Sequence, residues 1–226
     1  MTSGTEPSPY QRVLGDALAV LHPRLAAYFS TIPPGSIGRG SGVFDVVGTP
    51  RRWLWPVLWV LGKQGVLFPV DERAVPFSVT NTPVPGASAI DAVRTFAFSG
   101  GHRAMVDRIG VAGEGAGATL IDDLGTAARY RAHLAAIVVN GELHLSSTST
   151  SVRLGRSRLV LPAFLSPVVS LVERFDDERN QQHVTVILAL PLVGKLYEYS
   201  GYFTYEIRQS EHSASTGPEP VKGTAT

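Results

Sequence analysis

Residues 195–208 read KLYEYSGYFTYEIR, and their alternation decides the fold. The odd positions after Lys195 are Tyr197, Tyr199, Gly201, Phe203, Tyr205 and Ile207; the even ones are Leu196, Glu198, Ser200, Tyr202, Thr204 and Glu206. Successive side chains of a β-strand point to opposite faces, so this stretch has one aromatic face and one more polar face. An aromatic-lined strand beside other apolar strands implies a sheet wrapped around a core or a chamber.

Working back from that strand, the pattern predicts many more. Candidates are Val75–Asn81, Val93–Ser99, Ala104–Val111, Ala118–Leu124, Tyr130–Val139, Glu142–Leu154, Val168–Asp176 and His183–Leu190, with a short strand near Val43–Val47 after a glycine-rich loop. Asn140-Gly141 between two strand patterns is a strong hairpin signal. With those two residues as the turn, Val139 faces Glu142, Ile137 faces His144 and His133 faces Thr148. Asp176–Gln182 and Gly113–Gly117 read as further hairpin loops.

Helices are confined to the first part of the chain. Ser8-Pro9 reads as an N-cap and first helical position, followed by Val13, Leu14, Ala17, Leu18 and Leu21 at helical spacing. Pro23 ends that helix and opens a short second one to Phe29. Thr49-Pro50 opens a third, about Arg51–Leu61, which holds all three tryptophans, Trp53, Trp55 and Trp59; Pro56 is expected to kink or shorten it. Many antiparallel strands after a few helices predict an α+β, mainly β domain. The expected architecture is an antiparallel β-barrel, lipocalin- or calycin-like, of roughly eight or nine strands, or else a strongly curved sheet. A helix-grip (START-like) sheet is the alternative, but it normally ends in a long helix, and this chain ends in strand and tail. One domain over 10–208 is expected, with disordered tails at 1–9 and 209–226.

Composition narrows the function. The 226 residues carry a formal net charge of +1, so there is no global field to draw nucleic acid or an anionic membrane. There is no cysteine, which excludes disulfides, thiolate nucleophiles and Cys-ligated metals. The opening residues lack the basic start and apolar stretch of a secretory signal, so a cytoplasmic location is expected. The most apolar window, Trp53–Leu61, would cover about 14 Å as a helix, roughly half a bilayer's hydrocarbon, and is too short to span.

Five elements together carry a family resemblance: Tyr10-x-x-x-Leu14-Gly15, Gly38-x-Gly40-x-Gly42, the short apolar helix, Val172-Glu173-Arg174, and Ala189-Leu-Pro-Leu-Val-Gly194 followed by Tyr199-x-Gly201-x-Phe203. In that order the chain resembles the bacterial domain of unknown function 4166, over roughly Tyr10 to Tyr205. Some members of that family look like C-terminal companions of saccharopine-dehydrogenase-like, NAD-binding domains; these 226 residues hold no such domain. The resemblance implies no catalytic residues. Asp122-Asp123 departs from it, standing where a mixed acidic–basic pair is expected.

No reaction motif is present. Gly38–Gly42 is not a nucleotide loop, because a strand rather than a helix follows it; it reads as an entry turn. The six histidines are scattered, and no metal site is expected. Asp122 and Asp123, adjacent in a strand, point to opposite faces and cannot share a proton; a strand end or turn is the expected setting. The run Ser146–Ser151 reads as an edge strand kept polar.

The aromatic row carries the functional expectation. Phenols on one inward face must each find a partner, since burying an unbonded hydroxyl costs about 1–3 kcal/mol. Bound water or an oxygen-bearing guest would relieve that cost. The expected function is therefore to bind a large, mostly apolar small molecule in the barrel and to template its cyclisation or isomerisation without a cofactor, as in natural-product metabolism. The alternative is a non-catalytic carrier of lipid or hydrophobic metabolite, or an accessory subunit of a separate redox enzyme. Tyr197 and Tyr199 are the expected orienting groups, with Glu173 and Glu198 as carboxylates at the chamber rim. Trp53, Trp55 and Trp59 are expected to close over the mouth, and Phe68, Phe77, Phe203 and Tyr205 to line the wall.

Overall fold

The computed structural model describes residues 6–210 apart from 163 and 165. Most of the two expected tails therefore lies outside the described residues, but Ser8 and Pro9 belong to the folded domain. The Ser8 hydroxyl accepts from Gln11 N at 3.1 Å and the Gln11 amide oxygen accepts from Ser8 N at 3.0 Å, a reciprocal cap on helix α1 (Pro9–Leu14). The helix expected to reach Leu21 stops early. Gly15, at φ +52°, breaks the hydrogen-bond ladder, and Gly15–Val20 continues as a 3-10 helix. Pro23 then opens α2 (Pro23–Phe29) as expected.

The strands are β1 (Ser36–Gly48), β2 (Asp71–Pro83), β3 (Ile90–Phe98), β4 (Gly101–Ala112), β5 (Thr119–Leu124), β6 (Tyr130–Val139), β7 (Glu142–Leu154), β8 (Ser157–Val160), β9 (Val168–Asp176), β10 (Gln181–Leu190) and β11 (Gly194–Gln209). Each pairs antiparallel with its neighbours, β11 returns to β1, and β7 bridges β6 to β9. The result is a closed, lipocalin-like barrel of ten strands, one or two more than expected, with β8 as a short flap beside β7. There is no helix-grip arrangement, since the last described element is β11, inside the wall.

Three local expectations change. Gly38–Gly42 is not an entry turn but the first half of β1, with Gly38, Gly40 and Gly42 opposite Ile207, Tyr205 and Phe203. Their missing side chains leave room for the rings of the neighbouring strand. Ser146–Ser151 is not an edge, because β7 pairs with β6 on one side and with β9, then β8, on the other. Its hydroxyls serve the crossover between those partners: Ser147 Oγ accepts from Val169 N at 2.8 Å, and the Thr150 and Ser166 hydroxyls lie 2.6 Å apart. The Asn140-Gly141 hairpin pairs Val139 with Glu142 and Ile137 with His144, but a bulge after His133 moves its partner from Thr148 to Ser149.

A ten-strand barrel is wider than its own wall can fill, since about eight strands suffice for side chains to close the lumen. Helices supply the difference at both ends. At the end where β1 begins, Leu14, Leu21, Leu25 and Phe29 pack with Ile109, Leu120, Leu134, Leu143 and Leu145 of the wall. At the end where β1 finishes, Arg52–Leu54 forms a 3-10 turn and α3 (Trp55–Gly62) follows, with Pro56 in its first turn rather than at a kink. Leu58 of α3 and Val66–Phe68 after it pack with Phe44, Val75, Phe77, Phe96, Phe98 and Tyr197. Full burial of each such side chain is worth about 1.5–3 kcal/mol.

Candidate functional site in the barrel lumen

Between the two apolar plugs the inward rows of four strands are each interrupted once by charge. The rows read Ala92, Arg94, Phe96 on β3; Met105, Asp107, Ile109 on β4; Leu120, Asp122, Leu124 on β5; and Leu171, Glu173, Phe175 on β9. Cross-strand partners confirm the facing: Asp122 lies opposite Ile109 and Ala132, and Glu173 opposite Leu143 and Val184, all inside the barrel. Gln182 of β10 joins this belt, as do Tyr199 of β11 and Tyr10 and Tyr28 of the helices, all within electrostatic reach of one another.

The belt holds one cation for three carboxyls. Arg94 bonds Asp107, whose side chain is only 3% exposed. Burial works against the arginine's charge, and Asp107 with its neighbours more than offsets this, so Arg94 stays protonated. Burial likewise pushes Asp107 up while Arg94 pulls it back. Burial, then the nearby Asp107, raises Asp122 well above the ordinary carboxylate range, and its Oδ1 has no hydrogen-bond partner. Burial raises Glu173 to about 8, against the opposing pull of Arg94 and Gln182. Gln182 sits beside Glu173, but its Nε2 makes no well-formed hydrogen bond. At neutral pH the lumen therefore presents an ion pair flanked by carboxylic acids able to donate a proton. Arg94 points inward and keeps 23% of its side chain accessible.

Of the residues expected to act, Tyr197, Tyr199 and Glu173 face the lumen. Tyr197 is at the tryptophan end; its hydroxyl lies near the Phe68 backbone without a well-formed bond, and burial raises its pKa. Tyr199, raised by burial to about 12, has its ring 5.3 Å from that of Phe44 and lies beside the belt. Glu173 is deep in the belt rather than at a rim. Glu198 is not in the site: it alternates to the outer face, where Lys195 Nζ donates to it at 2.6 Å.

The wall residues divide similarly. Phe68, Phe77 and Phe203 are buried inside, with Phe77 and Phe203 rings 5.8 Å apart. Tyr205, raised by burial to about 12, accepts from Asn81 Nδ2 at 3.4 Å and packs edge-on to Tyr28 at 4.5 Å. Phe203, Tyr205, Tyr28 and Gln182 together line a cleft of about 400 Å3 between α2 and the β10–β11 wall, which shares Tyr28 and Gln182 with the belt. Trp55 packs against the inner cluster, but Trp53 and Trp59 do not close over the lumen. They are 60% and 57% exposed, Trp53 in the turn before α3 and Trp59 on the helix itself.

Sequence reasoning missed Arg94, Asp107, Asp122 and Gln182, along with Tyr10 and Tyr28. Asp122 was expected at a strand end or turn, yet β5 continues through Leu124 and carries it inward; Asp123, on the opposite face, pairs with Arg131. The available signal was a charged residue within a period-two apolar row, repeated on four strands. Tyr10 and Tyr28 had no such signal, because only the closed barrel brings the helices inside.

Fold and lumen define a closed β-barrel with a polar, proton-bearing belt between two apolar plugs. The chain belongs to the family described as Domain of unknown function (DUF4166), whose profile matches residues 21–203. No curated protein matches it.

Proposed function

We propose that the barrel binds a large, mostly apolar small molecule bearing an oxygen function and directs its cofactor-free isomerisation or cyclisation by moving a proton. The observation that carries this reading is Glu173, held protonated near neutrality in the lumen beside Tyr199 and the Arg94–Asp107 pair. A carboxylic acid in that state gives its proton at one position of the guest and, as carboxylate, takes one back at another. Such an exchange leaves Glu173 as it began and needs no oxidant or reductant. Tyr199 orients the guest's oxygen by donating its hydroxyl hydrogen, and Tyr197 does the same at the tryptophan end. Phe44, Phe77, Phe96 and Phe203 supply the shape and exclude water, which strengthens the polar contacts.

The test is mass spectrometry of lipophilic extracts incubated with the protein. An isomer appearing at the expense of a compound of equal mass supports catalysis, and its loss in Glu173→Gln with slower formation in Tyr199→Phe assigns the roles. Recovery of a bound but unchanged compound would instead select carriage. Conversion at full rate by both variants removes these residues from the chemistry.

A further inference from the structure

We infer that the tryptophan end of the barrel is a docking face for an anionic lipid bilayer. The inference stands on the surface alone and not on what the lumen holds.

Strand directions place five features at this one end: α3, the turn Ser99–Gly100, the turn after β5, the β7–β9 connection with its β8 flap, and the β10–β11 turn. Exposed apolar side chains concentrate on three of them. Helix α3 carries no charge from Trp55 to Gly62 and is apolar on both faces: Trp55 and Leu58 turn to the core, while Val57, Trp59 and Val60 face out, joined by Trp53 from the turn before the helix. Leu154 at the end of β7, Leu159 and Val160 in the β8 flap and Phe164 after it stand exposed, and Leu192 at the tip of the β10–β11 turn is 89% exposed. A helix apolar all round belongs in a core or against a second apolar phase, and here only one face has a core. Tryptophan in particular suits the bilayer interface, with its apolar ring and polar N–H.

Charge selects which phase. Arg51, Arg52, Lys63, Arg103, Arg129 and Arg156 lie at this end and take part in none of the ion pairs found among the described residues. Lys63 Nζ rests 3.5 Å above the Trp59 ring, so cation and aromatic are presented together. Of the acids nearby, Asp123 pairs with Arg131 and Glu198 with Lys195, while Glu72 accepts from Ser99 and Asp71 stands exposed at the start of β2. The opposite end exposes Asp16, Glu114, Asp177 and Glu178, with Arg24 and Arg179 among them. A net charge of +1 thus conceals a gathering of unpaired bases at the tryptophan end. Exposed apolar and tryptophan side chains within a ring of unpaired bases are the combination that binds an anionic lipid surface, by insertion and attraction together.

The chain's only tryptophans are all at this end, Trp53 and Trp59 on the exposed face and Trp55 against the core, so intrinsic fluorescence reports it. The protein is titrated with vesicles of phosphatidylcholine alone and of phosphatidylcholine mixed with phosphatidylglycerol, following tryptophan emission and vesicle flotation. The expected result is a blue shift and co-flotation with the mixed vesicles, weak or no binding to phosphatidylcholine, and release as salt is raised. Trp53→Ser with Trp59→Ser, both exposed and so neutral to folding, weakens binding by about tenfold or more, read by flotation. Arg51→Glu with Arg52→Glu does the same while keeping all three tryptophans. Val20→Ser with Ile137→Ser, exposed at the opposite end, leaves binding unchanged. Absence of binding to the anionic vesicles at low salt overturns the proposal, as does binding that both tryptophan-end variants leave intact. A protein that dimerises in solution through this face, and becomes monomeric in the tryptophan variant, overturns it in favour of a second copy as the occupant.

Discussion

Gly38 of β1 lies directly beneath the side chain of Tyr205 on β11: a β-carbon on the glycine would fall 1.5 Å from the tyrosine hydroxyl oxygen. The glycines of β1 are thus a mould for the rings of β11. Gly42 is tighter in kind, since its β-carbon would meet the Tyr202 backbone oxygen at 2.0 Å and Phe203 Cα at 2.6 Å.

Gly38→Ala is expected to destabilise the protein by about 1–3 kcal/mol through overpacking, because the Tyr205 ring can swing away only by leaving Asn81 and Tyr28. Gly42→Ala should cost more, since backbone rather than a side chain stands in the way. Urea denaturation checks both. The Gly38→Ala loss should shrink on a Tyr205→Ala background, where the obstructing ring is gone.

Glu173 makes stability fall as pH rises. Its carboxyl binds a proton up to about 8 in the folded chain but only to the ordinary carboxylate range when unfolded, so between these limits the folded state holds the extra proton. The contribution is fully present below the unfolded value and is lost as pH rises through about 8. Asp122, raised for the same first reason, acts in the same direction. Glu173→Gln keeps the shape and removes the titration, so it should flatten the profile and be the more stable protein at pH 9. Denaturation at pH 5, 7 and 9 measures this; parallel profiles for the two proteins would sink it.

Removing Asp107 strands a cation. Asp107→Asn should cost about 3–5 kcal/mol, because Arg94 then has no opposite charge bonded to it inside the barrel. Arg94→Met with Asp107→Leu should be less damaging than the two single losses added together, since neither charge is then left unpaired. A thermal-denaturation cycle over the four proteins reads the coupling; strict additivity would show that the pair does not act as a unit.

The β6–β7 hairpin anchors the helical plug. Gly141 sits at φ +81°, and its carbonyl accepts from His22 N at 2.9 Å, just ahead of α2. Gly141→Val forces a branched side chain into that conformation and should lower the melting temperature, with amide exchange rising in both the hairpin and α2. Asn140→Gly, at φ +52°, should be nearly neutral because glycine adopts that geometry without strain.

The extent of β6, β7 and β9 and the Asn140-Gly141 turn were legible along the chain, because a half-buried strand writes a period of two and a tight hairpin needs residues that accept positive φ. The inward set of β11, Tyr197 to Tyr205, was legible for the same reason. Gly38–Gly42 was misread, because glycine has no side chain to reveal a period and marks both loops and tightly packed strands.

The one-dimensional pattern by itself determined a mainly β, antiparallel chain with one aromatic face on its last strand, since local alternation and turn chemistry are properties of neighbouring residues; that the sheet closes into a barrel was decided by the tertiary structure. Only the closed tertiary structure decided that Arg94, Asp107, Asp122 and Glu173 meet in one belt, and that Trp53 and Trp59 face away from it. Alternation names a face but not what lies across the lumen: Arg94, Asp107 and Asp122 stand on neighbouring strands, and Glu173 on β9 faces them only because the ring closes. Their proton affinities follow from burial among one another, which no single segment carries.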